Sequence, residues 1–171
     1  PALAFREYLS SAITFTTTSA PSILLLNSMD FSNTHCRMKA SIALNLTLVN
    51  AVPSSSYGGS IALELPTVFP KSTGTKKVVA DSSFANYASA QSSDLQIKVT
   101  GNSQDFSGTV RLQIMGVDNP TDETFASDFV LRTQDDINKK VISRTYQNIS
   151  PANFSFSYPG PLIKINNEET I

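Results

Sequence analysis

The chain has one histidine and one cysteine, and they are neighbours, His35 and Cys36. An imidazole beside a thiol is the pairing from which a base and a nucleophile are made. Adjacency works against that use, because successive side chains of an extended strand point to opposite faces. The expectation is a half-buried Cys36 acting as a small apolar group and a His35 at the surface. A zinc site would need two or three further ligands, and no spaced cluster supplies them. A single cysteine also closes no disulfide within the chain.

Acidic side chains are the next candidates. Asp118, Asp122 and Glu123 flank Asn119-Pro120, and Asp135-Asp136 form a second acidic pair. Loop carboxylates between strands can ligate calcium, which takes oxygen ligands, but the alternation of an EF-hand loop is missing. Ordinary turn formation is the plainer reading. The sequence contains no G-x-S-x-G elbow, phosphate-binding loop or dinucleotide fingerprint. Nothing selects a carboxylate pair for sugar hydrolysis. No catalytic residue, metal or other cofactor is expected.

Three sequons for N-linked glycosylation are present: Asn45-Leu46-Thr47, Asn148-Ile149-Ser150 and Asn153-Phe154-Ser155. Asn45 alternates with Leu44 and Leu46, and Asn153 lies opposite Phe154 and Phe156, so both are expected to face water. Asn148 is the weakest acceptor, because Pro151 follows its sequon and restricts the backbone.

The elements that position these residues read as strands. Ile42, Leu44, Leu46 and Leu48 alternate with Ala43, Asn45 and Thr47. The same period of two recurs in Ile61, Leu63, Leu65; in Leu95, Ile97, Val99; in Val110, Leu112, Ile114; in Phe129, Leu131; in Phe154, Phe156, Tyr158; and in Ile163, Ile165. Thr14, Thr16 and Thr18 give a weaker alternation. Turn-rich clusters separate the runs at 53–59, 66–74, 101–107, 116–124 and 159–161. In Ser82 to Ser92, Phe84, Tyr87, Ala88 and Gln91 fall at helical spacing, although Ser and Asn compete with helix there. One apolar face per strand is what an antiparallel sheet packed on a second sheet requires. The expectation is an all-β antiparallel immunoglobulin-like sandwich with long loops: one domain over 1–171, its core at about 41–166.

The 171 residues carry a net charge of −1, with 16% charged. That balance offers no footprint for nucleic acid. The longest aliphatic run is Ile23 to Leu26, too short for a spanning helix, so no direct membrane insertion is expected in this segment. Pro1 in place of an initiator Met suggests a processed piece of a longer parent.

Three segments carry a family resemblance: Gly58-Gly59-Ser-Ile-Ala-Leu-Glu-Leu-Pro66, Val110 to Asn119-Pro120, and Ser127-Asp-Phe-Val-Leu-Arg-Thr133. Together they resemble, over about 41–145, the immunoglobulin-like repeat domain of large ciliate and other protist surface proteins. That family's usual cysteines are largely missing here. The resemblance implies an extracellular sandwich, often strung in tandem, without catalytic residues.

The function expected from these features is non-catalytic: a structural module of a surface filament, coat or stalk, extracellular or on the cell surface. Its partners would be copies of itself or neighbouring domains of its parent, with N-linked glycans. The terminal segments 5–18 and 162–171 are candidates for exchange with a neighbouring subunit. An adhesion or carbohydrate-binding module and a viral capsid jelly roll are the alternatives.

Overall fold

The computed structural model describes residues 22–80, 89–101, 103–138, 140–144 and 154–160. Its strands are β1 (Ser22–Ile23), β2 (Leu25–Phe31), β3 (Lys39–Val52), β4 (Gly59–Glu64), β5 (Gly74–Ala80), β6 (Ser89–Ser93), β7 (Gln96–Thr100), β8 (Phe106–Asp118), β9 (Thr124–Ala126), β10 (Val130–Asp135), β11 (Lys140–Arg144) and β12 (Phe154–Phe156). A 3-10 turn, Ser55–Tyr57, is the one helical piece among the described residues. The fold is an all-β antiparallel sandwich; the pairing of β1 with β11 is parallel.

Alternation sets the burial. Ala40, Ile42, Leu44, Leu46 and Leu48 of β3 are buried, while Ser41, Ala43, Asn45 and Thr47 turn outward. Opposite them on β8, Val110, Leu112 and Ile114 are 0–2% exposed. These two long strands pack over Ile61, Leu63, Ile97, Val99 and Leu131 from β4, β7 and β10 in one core. Leu24, Met29, Cys36 and Ala40 also belong to the core. It therefore begins well ahead of the expected 41–166 span, because β2 supplies one of its walls.

One end of the core is closed by Phe31, Phe69, Phe129, Phe154 and Phe156. Their ring centroids lie 4.7–6.0 Å apart, mostly edge to face, a geometry that aligns ring edges with neighbouring faces.

Ten strands form one continuous sheet in the order β1-β11-β10-β4-β7-β6-β5-β8-β3-β2, and β9 pairs with β12 in a separate ribbon. The sheet's two outermost strands are sequence neighbours, joined through the buried Leu24. The chain thus crosses from one layer to the other within a single kinked segment, and the ring of strands closes covalently. Across the sandwich, β6 pairs with both β5 and β7 and bridges the layers.

Two differences from the sequence expectation have physical causes. The helical spacing over Ser82 to Ser92 ends in strand: Ser89–Ser93 is β6, held by ladders on both sides. Backbone pairing to two open edges outweighs a weak local preference. Residues 81–88 lie outside the described residues, as do the alternations at 14–18 and 163–165. Ala62, which falls between Ile61 and Leu63 and so on the face opposite theirs, is 0% exposed all the same. It sits between Arg132 and Lys98 in the ladder, where cross-strand neighbours share a face and long side chains lay apolar stems along it.

Candidate functional site

The residues first picked out for chemistry gather at one pole, where β8 ends and β3 begins. Met38 precedes β3, and its carbonyl accepts the Asn119 N–H at 2.9 Å. Asn119 follows β8 and is 1% exposed. Its Nδ2 donates to the Asn33 carbonyl at 3.2 Å, to Asn33 Oδ1 at 3.1 Å and to the His35 carbonyl at 2.9 Å. The 33–38 loop is therefore tied to the Asn119-Pro120 turn. The Arg37 N–H donates to the Pro120 carbonyl at 2.9 Å, which holds Arg37 at φ 61° in the left-handed region.

His35 and Cys36 point to opposite sides. His35 is exposed and bridges to Ser157, whereas Cys36 is 3% exposed within the core. Burial pushes the Cys36 thiol above its ordinary value, and the carboxylates of Glu123 and Asp122 push it further the same way. A thiol held protonated is a poor nucleophile.

The acidic candidates are each held by separate donors. Asp118 faces Lys76 at 3.8 Å and Lys39 at 4.0 Å. Asp122 accepts the Tyr158 hydroxyl at 3.0 Å and the Thr121 hydroxyl at 3.0 Å, and pairs with Arg37 at 3.7 Å. Those hydrogen bonds, the one from Tyr158 first, hold its carboxyl below the usual range, and the same bond raises the Tyr158 phenol. Glu123 accepts the Tyr158 N–H at 3.2 Å. Tyr158, expected to face inward with Phe156, instead lies outside with the Arg37 guanidinium 5.5 Å from its ring centroid. It follows the last β12 residue, beyond the edge of the aromatic core. Among the described residues no three acidic, His or Cys side chains converge as a metal site.

Asp135 and Asp136 act elsewhere, at the opposite pole. Asp135 caps its own turn by accepting the Asn138 N–H at 3.0 Å and the Asn138 side chain at 2.6 Å. Both bonds keep its carboxyl low. Asp136 accepts Lys98 Nζ at 2.9 Å, the Ser60 hydroxyl at 2.9 Å and Gln134 Nε2 at 2.9 Å. Gln134 in turn accepts from Arg132, which pairs with Glu64 at 2.7 Å. This chain of contacts runs over the outer face of β7, β4 and β10. Partial burial pushes the Asp136 carboxyl up, but the three donors and the Lys98 charge outweigh it, and its pKa is lowered.

Of the sequon acceptors, Asn45 is described. It projects from the outer face of β3, half-buried, and its Oδ1 accepts Asn27 Nδ2 at 3.4 Å. Asn27 also donates to Thr47 Oγ1 at 2.9 Å. Asn27 is the extra residue of a bulge, since Leu26 pairs with Leu46 and Ser28 with Asn45. The bulge aims its amide at both polar residues of the sequon. Asn148 and Asn153 lie outside the described residues.

Sequence reasoning missed the work of Asn119 and Asp136. The Asn-Pro turn signalled a break after β8, but not that the amide reaches back over more than eighty residues, to Asn33 and His35. The one signal for Asp136 was its place beside Asp135.

These contacts define a structural class: an antiparallel β-sandwich whose reactive side chains are engaged in holding loops and strands. No family model matches the chain, and no curated protein matches it. Among solved structures, the chain is similar to one titled "Crystal structure of BslA - A bacterial hydrophobin", at a TM-score of 0.41 and 11% identity, covering 80% of this chain and 98% of that one.

Proposed function

We propose that this chain is a non-catalytic extracellular structural module, a subunit of a surface filament, coat or stalk. The observation that carries the reading is the fate of the reactive groups. Cys36 is buried, Asn119 and Arg37 fasten loops, Asp118 faces two lysines, and Asp122 and Glu123 both hold Tyr158, one by its hydroxyl and one by its N–H.

Strand order adds support. β2, β3, β8 and β5 lie side by side in the sequence order that A-B-E-D would take on an immunoglobulin-like reading, and β4, β10 and β11 in the order of C-F-G. The hairpin β6–β7 is then an insertion between D and E. The resemblance over 41–145 to protist surface repeats points the same way.

Several exposed apolar side chains sit toward the poles, whereas Leu25 and Val79 lie along β2 and β5. Val49, Tyr57 and Ile137 are 61%, 69% and 65% exposed near one, and Met38 and Phe125 are 46% and 59% exposed near the other. Apolar poles suit contacts between domains arranged end to end.

The test is sedimentation velocity on the full chain, secreted from a glycosylating eukaryotic host, across a thousand-fold concentration range with electron microscopy of the top sample. Concentration-dependent association into linear species is expected. A monodisperse monomer throughout would overturn self-assembly.

A further inference from the structure

Asn45 stands in the middle of the outer face formed by β2, β3, β8 and β5. Across the ladders it is paired with Ser28 and Arg111, and Gln113 is paired with Val79 on the next strand. With Ala43, these side chains border an open depression of about 630 Å³. That lies within the roughly 300–1,000 Å³ range of sites that hold small ligands. The depression exists because Ser28 and Ala43 are short between longer neighbours. Its wall joins an apolar step, Val79 at 48% exposed, to the polar Gln113 and Arg111.

We infer that the first sugar of an N-linked glycan on Asn45 is seated in this depression. The apolar C–H face of an N-acetylhexosamine packs on Ala43 and Val79, while its hydroxyl and acetamido groups meet Gln113 and Arg111. The glycan thereby covers the outer face of this layer and leaves the poles for contacts between copies. The inference rests on the extracellular reading.

In the covalent step, Asn45 Nδ2 bonds to the anomeric carbon of a sugar carried on a lipid-linked diphosphate. The C–O bond to the diphosphate breaks, the diphosphate leaves with the electron pair, and the amide nitrogen loses one proton. The step precedes folding. In the folded chain Asn45 is locked between β2 and β8, and Asn27 engages both Asn45 and Thr47.

The experiment uses the full chain, secreted from a glycosylating eukaryotic host, with Asn148→Gln and Asn153→Gln to leave one sequon. Peptide mass mapping reads occupancy of Asn45. The glycan is then trimmed to one N-acetylglucosamine, and nuclear Overhauser contacts are sought between its acetyl methyl and the Val79 methyls. Contacts are expected, and Val79→Ser should remove them. A glycan present with a mobile acetyl signal and no contact overturns the seating and leaves the structural reading standing. A bare Asn45 overturns the inference. If Asn148 and Asn153 of the unsubstituted chain are bare as well, the extracellular reading falls with it.

Discussion

Asn119 shows how much one side chain can organise. Its amide is buried, and its two hydrogens are shared among three carbonyl-type oxygens from one loop. Replacing it with Ala removes three bonds to part-buried acceptors, one of which, Asn33 Oδ1, keeps the His35 N–H, and each lost bond is worth about 0.5–1.5 kcal/mol. Asn119→Ala is expected to destabilise the chain by about 2–3 kcal/mol in urea unfolding, and to free the 33–38 loop for early hydrogen exchange. A loss below about 0.5 kcal/mol would deny the latch.

Gly59 is fixed by space rather than by dihedral freedom. A Cβ there would fall 1.7 Å from the Pro53 carbonyl oxygen, a backbone atom with no rotamer in which to retreat. Gly59→Ala must shift the chain itself, so its cost should exceed the usual overpacking penalty of about 1–3 kcal/mol. Gly74→Ala is its companion control in the same unfolding assay. Gly74 has open space for a Cβ but a φ of 114°, so it probes backbone strain alone. Gly59→Ala is expected to be the more harmful of the two.

At the scale of elements, the Asp136 clasp links the turn after β10 to β4 and β7. Its folded pKa is depressed, so it contributes stability that is complete above the unfolded Asp value, about 3.9. That contribution is lost as pH falls through the lower folded value. Stability of the parent chain should fall faster as pH drops below about 4 than that of Asp136→Asn, which cannot titrate. Parallel pH profiles for the two proteins, read by thermal unfolding, would remove Asp136 from the acid response. The exposed Arg37–Asp122 pair should matter far less, since solvent screens an ion pair at the surface.

At the scale of the molecule, closure depends on Leu24, the buried link between β1 and β2. Leu24→Ala should cost about 2–5 kcal/mol, the usual loss for a buried leucine. Loosening that link also exposes ladder edges of β11 and β3, and free edges pair with other chains. Aggregation during thermal unfolding should therefore begin at lower temperature for Leu24→Ala than for a core variant of equal stability such as Leu46→Ala. Equal onsets would mean that closure guards no edge.

The amino-acid sequence by itself determined the strands with a clear alternation and their inner faces, and left β2, β5, β9 and β11 unmarked. Alternation in β3, β7, β8 and β10 is a local property, because a strand's side chains must point alternately to two sides. It also placed His35 and Cys36 apart and Asn45 outward, for the same reason. The tertiary structure alone decided which strands lie side by side and what covers each face. Ala62 looks like a surface residue until Lys98 and Arg132 arrive on either side of it. Ser89–Ser93 becomes strand because β5 and β7 offer it two edges. Asn119 is a turn residue in the sequence and a buried latch in the fold, since its acceptors at 33 and 35 are brought to it by the pairing of β3 with β8. Periodicity is written residue by residue, whereas contacts across long separations depend on the whole set of pairings and appear once the chain has closed on itself.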